Sequence, residues 1–198
     1  ELMESLKEAS ETSIIEERCS RKSSNSTPHE VWRREGLSYF VNPLLENLYS
    51  SGDKPREVKP MYFDSELERK AAFLALQTST YYVFWMVYGN ERHLPWKLVD
   101  KFPLPPKNKL QEKEDEIIEL ADVMWDDMKD RFRGNIRETF KNSGVVKPLC
   151  DEADDLLGPL YGLSDEQIEF AKGYEEKYRL NDVNQTQLTD PTDELDYL

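Results

Sequence analysis

The chain has 198 residues, with 26 Lys and Arg against 40 Asp and Glu, a formal net charge of −14. That length suits one large domain or a domain with a helical extension. Its 4 Trp, 10 Tyr and 8 Phe exclude wholesale disorder, because disordered chains are poor in aromatics. The total charge argues against a uniformly basic nucleic-acid binder, but the acid is confined. Residues 1–110 hold 16 basic and 16 acidic side chains, and residues 111–198 hold 10 and 24. The first part can therefore gather a local basic face, and for phosphate binding the distribution of charge matters more than the total.

In chain order, Leu2 to Arg18 reads as an amphipathic helix with Leu6, Ala9, Ile14 and Ile15 among charges. Ser20 to Pro28 is small and polar, a loop. Val31 to Val41, with Gly36 inside, fits a short strand–turn–strand unit, and Met61-Tyr62-Phe63 a further short strand. Asp64 or Ser65 caps a helix to about Gln77, with Glu66 and Glu68 in its first turn, where carboxylates favour the dipole. A second helix starts near Ser79 and stops at Gly89-Asn90. Trp96 to Lys101 is one helical turn, and Pro103-Leu104-Pro105-Pro106 enforces an extended spacer.

Gln111 to Arg133 is a long helix with Ile117, Ala121, Met124 and Met128 on one stripe. Ser164-Asp165-Glu166-Gln167 forms a capping box that opens a helix to Arg179, with Ile168, Ala171, Tyr174 and Tyr178 on its inner face. An acidic tail follows from Val183. The expected fold is α+β, a small mixed sheet with packed helices and then a C-terminal helical extension. The expected parts are an N-terminal helix and loop (1–30), an α+β core (31–110), an acidic helical region (111–182) and a flexible acidic tail (183–198).

The most apolar run, Ala71 to Gly89, is interrupted by Gln77 to Thr80, which suits a buried helix pair better than a membrane span. No apolar signal segment opens the chain. Cys19 and Cys150 lack both a disulfide framework and a C-x-x-C spacing, as in a cytoplasmic protein with reduced thiols. Glu1 in place of Met suggests a fragment of something longer.

Elements of catalysis are missing from the sequence: there is no glycine-rich phosphate loop and no nucleophile elbow, and His29 and His93 have no helical ligand partner. Asn42-Pro43 is followed by Leu44-Leu45, so the base-gripping Asn-Pro-Pro-aromatic motif is not formed. The acid pairs Asp126-Asp127, Asp151-Glu152 and Asp154-Asp155 read as solvated helix faces. A nuclease would join such acids to a Glu-x-Lys element on a strand. Catalysis within this chain is not expected.

Four patterns in order carry a resemblance. They are Trp32-Arg33-Arg34-Glu35-Gly36-Leu37-Ser38-Tyr39-Phe40; Phe73 to Trp85 with its Gln77-Thr78-Ser79-Thr80 break; Glu91-Arg92-His93-Leu94 leading to Phe102-Pro103-Leu104-Pro105; and Leu160-Tyr161-Gly162-Leu163. Over Val31 to Tyr178 the chain resembles the C-terminal target-recognition region of restriction-modification N6-adenine DNA methyltransferases, including fused type IIG restriction enzymes. Gln77-Thr78 stands where Asn-Ser is usual, Leu37 where a second glycine is common, and Phe40 where Trp is usual. Type I specificity subunits share the Pro-Leu-Pro-Pro and long-helix ending.

The resemblance implies sequence-specific binding of double-stranded DNA. The S-adenosylmethionine-binding methylating domain, and any endonuclease, would lie elsewhere in the parent enzyme, with no cofactor or metal held by this chain. Arg33, Arg34, Tyr39, Lys54, Arg56, Lys59, Arg92 and His93 fall in loops and strand edges, where recognition resides, and are the expected DNA contacts; each is equally compatible with a solvated surface position. Tyr81, Tyr82, Phe84 and Trp85 are expected in the core. The alternative of another class is a protein-interaction module that uses the acidic C-terminal helices.

Overall fold

A computed structural model describes residues 1–20, 29–34, 58–89, 96–131 and 143–180. The fold is α+β with a C-terminal helical part. Three strands, β1 (Cys19–Ser20), β2 (His29–Arg34) and β3 (Val58–Phe63), form an antiparallel sheet in the order β1-β3-β2. Among the described residues the sheet is antiparallel throughout rather than mixed.

The first helix is shorter than the expected one. α1 (Leu2–Thr12) and α2 (Ile15–Arg18) are separated at Ser13, whose backbone is extended. The break has a partner. Ile14 bridges Pro103, the Ile15 N–H donates to the Phe102 carbonyl at 3.0 Å, and the Leu104 N–H donates to the Ser13 carbonyl at 3.2 Å. The segment thus exchanges local helix bonds for pairing with the proline spacer.

Next come α3 (Glu66–Ala75) and α4 (Ser79–Tyr88). α3 begins at Ser65, whose hydroxyl accepts from the Glu68 N–H at 3.2 Å, so the expected cap is present. Ser65→Ala is predicted to lower stability by about 1 kcal/mol, the usual worth of such a cap, measured by denaturant unfolding.

α3 is central, packing on β2, β3 and three further helices. Leu67 through Ala75 are all buried, charges included. Those charges are paired. Glu68 meets Arg18 and, at 3.3 Å, Lys107, while Lys70 meets Asp122 at 2.7 Å.

α5 (Trp96–Lys101) is followed by the extended Pro103–Pro106 stretch. The single helix expected from Gln111 is instead a short α6 (Lys107–Glu112) and a long α7 (Glu114–Arg131), parted at Lys113. Ile117, Ala121, Met124 and Trp125 of α7 are buried. Helix α8 (Ser143–Tyr161) contains Pro148 and Pro159. It buries Ala153, Leu157 and Tyr161, one face at a spacing of four.

Gly162, at φ +83°, reverses the chain after α8, a conformation that strongly favours glycine. α9 (Asp165–Glu175) then opens on the reciprocal Ser164–Gln167 capping box and passes into a π-helical turn, Glu176–Leu180. Gly158 lets α8 and α9 touch: a Cβ there would lie 2.5 Å from Ile168 Cδ1. Ile168 and Ala171 are buried as expected, but Tyr178 is 45% exposed. It lies in the wider π turn, where the 3.6-residue spacing used to assign it inward no longer holds.

Candidate nucleic-acid interface

Of the expected DNA contacts, Arg33, Arg34 and Lys59 lie on β2 and β3; Tyr39, Lys54, Arg56, Arg92 and His93 lie outside the described residues. The register is informative. Arg33 stands directly opposite Lys59, and Arg34 opposite Val58. Because alternate strand positions belong to opposite faces, Arg33 and Lys59 share one face and Arg34 belongs to the other. Along β3 the face of Lys59 also carries Met61 and Phe63, both fully buried, so Arg33 and Lys59 stand at the far end of the core-packed side of the sheet, and Arg34 belongs to the side of the half-buried Tyr62. β2 is an edge of the sheet among the described residues.

Two other cations of the first half are committed to the scaffold. Arg18 is buried against Glu68, donates to Ser13 Oγ at 3.0 Å and reaches the Pro105 carbonyl at 3.1 Å. Lys70 is 4% exposed. Neither position offers its charge to a ligand at the surface.

Three of the four sequence patterns meet around Phe102, which is fully buried. Its ring lies 4.9 Å from Tyr81, 5.1 Å from Phe84 and 5.9 Å from Tyr161, each edge-on, the favoured arrangement of aromatic pairs. Tyr81, Phe84 and Trp85 are buried and Tyr82 is half-buried. Their place is structural, as the density of aromatics on one helix implied.

The least expected feature lies at the start of α4. Thr78 caps the helix by accepting from the Tyr81 N–H at 3.0 Å. Asp154 of α8 supplies a second cap. Its carboxylate accepts from the Ser79 N–H at 2.6 Å, the Thr80 N–H at 3.0 Å and the Thr80 hydroxyl at 2.6 Å. Asp154 is 1% exposed, so the solvated-face reading fails for it. Burial outweighs these hydrogen bonds and raises its pKa to about 6. The nearby Tyr161 hydroxyl is driven up by burial first and by the Asp154 charge second, which keeps it neutral.

Beside this cap, Ser79 Oγ donates to Glu175 at 2.7 Å and accepts from Lys147 Nζ at 3.1 Å; Lys147 also meets Asp151. A serine within reach of a lysine is the pairing of some nucleophilic hydrolases. Here Ser79 is fully buried and Lys147 is engaged by two carboxylates, Asp151 and Glu175. The group ties α4, α8 and α9 together. Asp154 and Glu175 were missed in the sequence because acids in helices are usually solvated; the Thr-Ser-Thr run that ends one helix and begins another was the available signal.

No helix among the described residues is long and apolar enough to cross a membrane. Comparison with protein families, with curated proteins and with solved structures finds no match.

Proposed function

We propose that the chain reads double-stranded DNA as the target-recognition part of an adenine-N6 methyltransferase of a restriction-modification system, acting in the cytoplasm. The four ordered patterns support that parentage. The observation that carries DNA binding is the register pairing of Arg33 with Lys59 on adjacent strands, at the opposite end of their shared face from the buried Phe63. Like charges directly opposite each other destabilise a sheet, and an anion between them turns that cost into attraction. Phosphate oxygens, or the O6 and N7 acceptors of guanine in the major groove, suit the two residue types.

The division of labour follows. S-adenosylmethionine and the flipped adenine belong to the remainder of the parent enzyme. This chain grips the duplex, with Lys54 and Arg56 in the segment that joins β2 to β3 and Arg92 and His93 after α4 as further contacts. The acidic helices α7 to α9 pack behind as support, away from a polyanion that would repel them.

Salt titration tests the reading. In anisotropy assays with a pool of random duplexes, affinity is expected to fall steeply with ionic strength. For three phosphate contacts the loss is about 40-fold between roughly 50 and 200 mM salt. No binding even at the low end would end the proposal.

A further inference from the structure

The groove between α1, α4 and α9 is not used by the DNA reading, and its chemistry is the opposite of a DNA site. It encloses about 910 Å³. Val87 of α4 and Phe170 of α9 line it while 55% and 56% exposed, and Met3 of α1 adds a half-buried apolar wall. Glu4, Glu8 and Glu166 also line it, and no Lys or Arg does so among the described residues.

Phe170 continues into a ladder at helical spacing, its ring 6.0 Å from Tyr174, which is 4.5 Å from Tyr178. Large apolar side chains left this open on a folded protein mark a binding surface. The glutamates fix the sign of its partner, and the exposed ring of Phe170 favours the same sign by attracting Lys and Arg. The chain's own tail does not match, since residues 181–198 contain acids and no Lys or Arg.

We propose that this groove docks a basic amphipathic helix of a partner protein. Its apolar stripe would lie on Val87, Phe170 and Met3, with Lys and Arg set toward Glu4, Glu8 and Glu166, the helix-in-groove mode of recognition. The site is independent of the DNA-reading face, so either proposal can fail alone.

The probe is a fluorescein-labelled model helix of about five turns built from Leu and Lys with a single apolar stripe, compared with its Leu and Glu counterpart. The basic peptide is expected to bind in the micromolar range and the acidic one not to bind. The decisive variant is Val87→Asp with Phe170→Asp. It makes the chain more negative, so diffuse attraction to an acidic protein would grow, whereas groove docking should weaken at least tenfold. Both positions are more than half exposed, so the thermal midpoint should not move.

A second variant, Glu4→Gln with Glu8→Gln and Glu166→Gln, should weaken the basic peptide by a similar factor without touching the apolar wall. Undiminished binding by the aspartate variant would overturn the proposal, as would no binding by the unaltered chain. If sedimentation shows the unaltered chain to dimerise and the aspartate variant to be monomeric, the occupant is a second copy and the proposal falls.

Discussion

Asp154→Ala is expected to lower stability at pH 7 by about 3 kcal/mol, the balance of two physical terms. The substitution strips an acceptor from two backbone N–H groups and one hydroxyl at a buried helix start, and each unsatisfied buried donor costs roughly 1–3 kcal/mol. Against that, it removes a carboxylate that is costly to keep ionised inside the protein. Asp154→Asn should cost less, about 1 kcal/mol, since its carbonyl oxygen can still accept from the backbone and the Thr80 hydroxyl can turn to accept from the new amide.

The pH dependence separates this explanation from simple loss of packing. In the folded chain burial pushes the Asp154 carboxyl up to about 6 from its ordinary value of 3.8. Below about pH 4 the group is protonated whether the chain is folded or not, and no penalty exists. As pH rises from about 4 to 6, the unfolded chain releases the proton while the folded one retains it, so stability is lost through that window. Above it the loss is complete, about 3 kcal/mol for a shift of roughly two pH units. Asp154→Asn has no such titration, so its stability relative to the unaltered chain should improve from pH 4 to pH 7. A difference that stays flat across that range, measured by urea unfolding at each pH, would refute the assignment.

Legibility in the sequence followed how local the determining forces are. Caps are local, and Ser65, Thr78 and Ser164 all stand at helix starts; α4 and α5 were readable for similar reasons. α8 falls within the expected acidic helical region, but its bounds were not legible, because Pro148 and Pro159 lie inside it and proline ordinarily ends a helix. The gap between α1 and α2 was invisible because Ser13 and Ile14 bond to residues about ninety positions away. Asp154 follows the same logic. Nothing within a few residues of it distinguishes it from Asp155, which is exposed on the same helix; only the approach of α4 makes one a buried cap and leaves the other in water. On the candidate interface, only the pairing register could separate Arg33 from Arg34 and identify Lys59 as the partner of the first.

That register makes a sharper test possible than reversing every cation together. Arg33→Glu places a carboxylate opposite Lys59 and converts a like-charge cross-strand pair into an opposite-charge one. Such pairs differ by roughly 0.2–1 kcal/mol in favour of opposite charges, so the fold should be kept or slightly stabilised. DNA binding should respond in the other direction. Loss of one charge-assisted contact, worth about 1.5–3 kcal/mol, together with repulsion from the new carboxylate, predicts at least a 30-fold fall in affinity by the relation of about 1.4 kcal/mol to a factor of ten. Adding Lys59→Glu should carry the loss beyond about 100-fold. Arg34→Glu, on the other face, is expected to change affinity several-fold less than Arg33→Glu. Because stability and binding are expected to move in opposite directions for Arg33→Glu, a damaged fold cannot imitate the result. Equal losses for Arg33→Glu and Arg34→Glu would mean that binding does not distinguish the two faces of the sheet, and unchanged affinity in the Arg33 and Lys59 variants would remove these strands from the interface altogether.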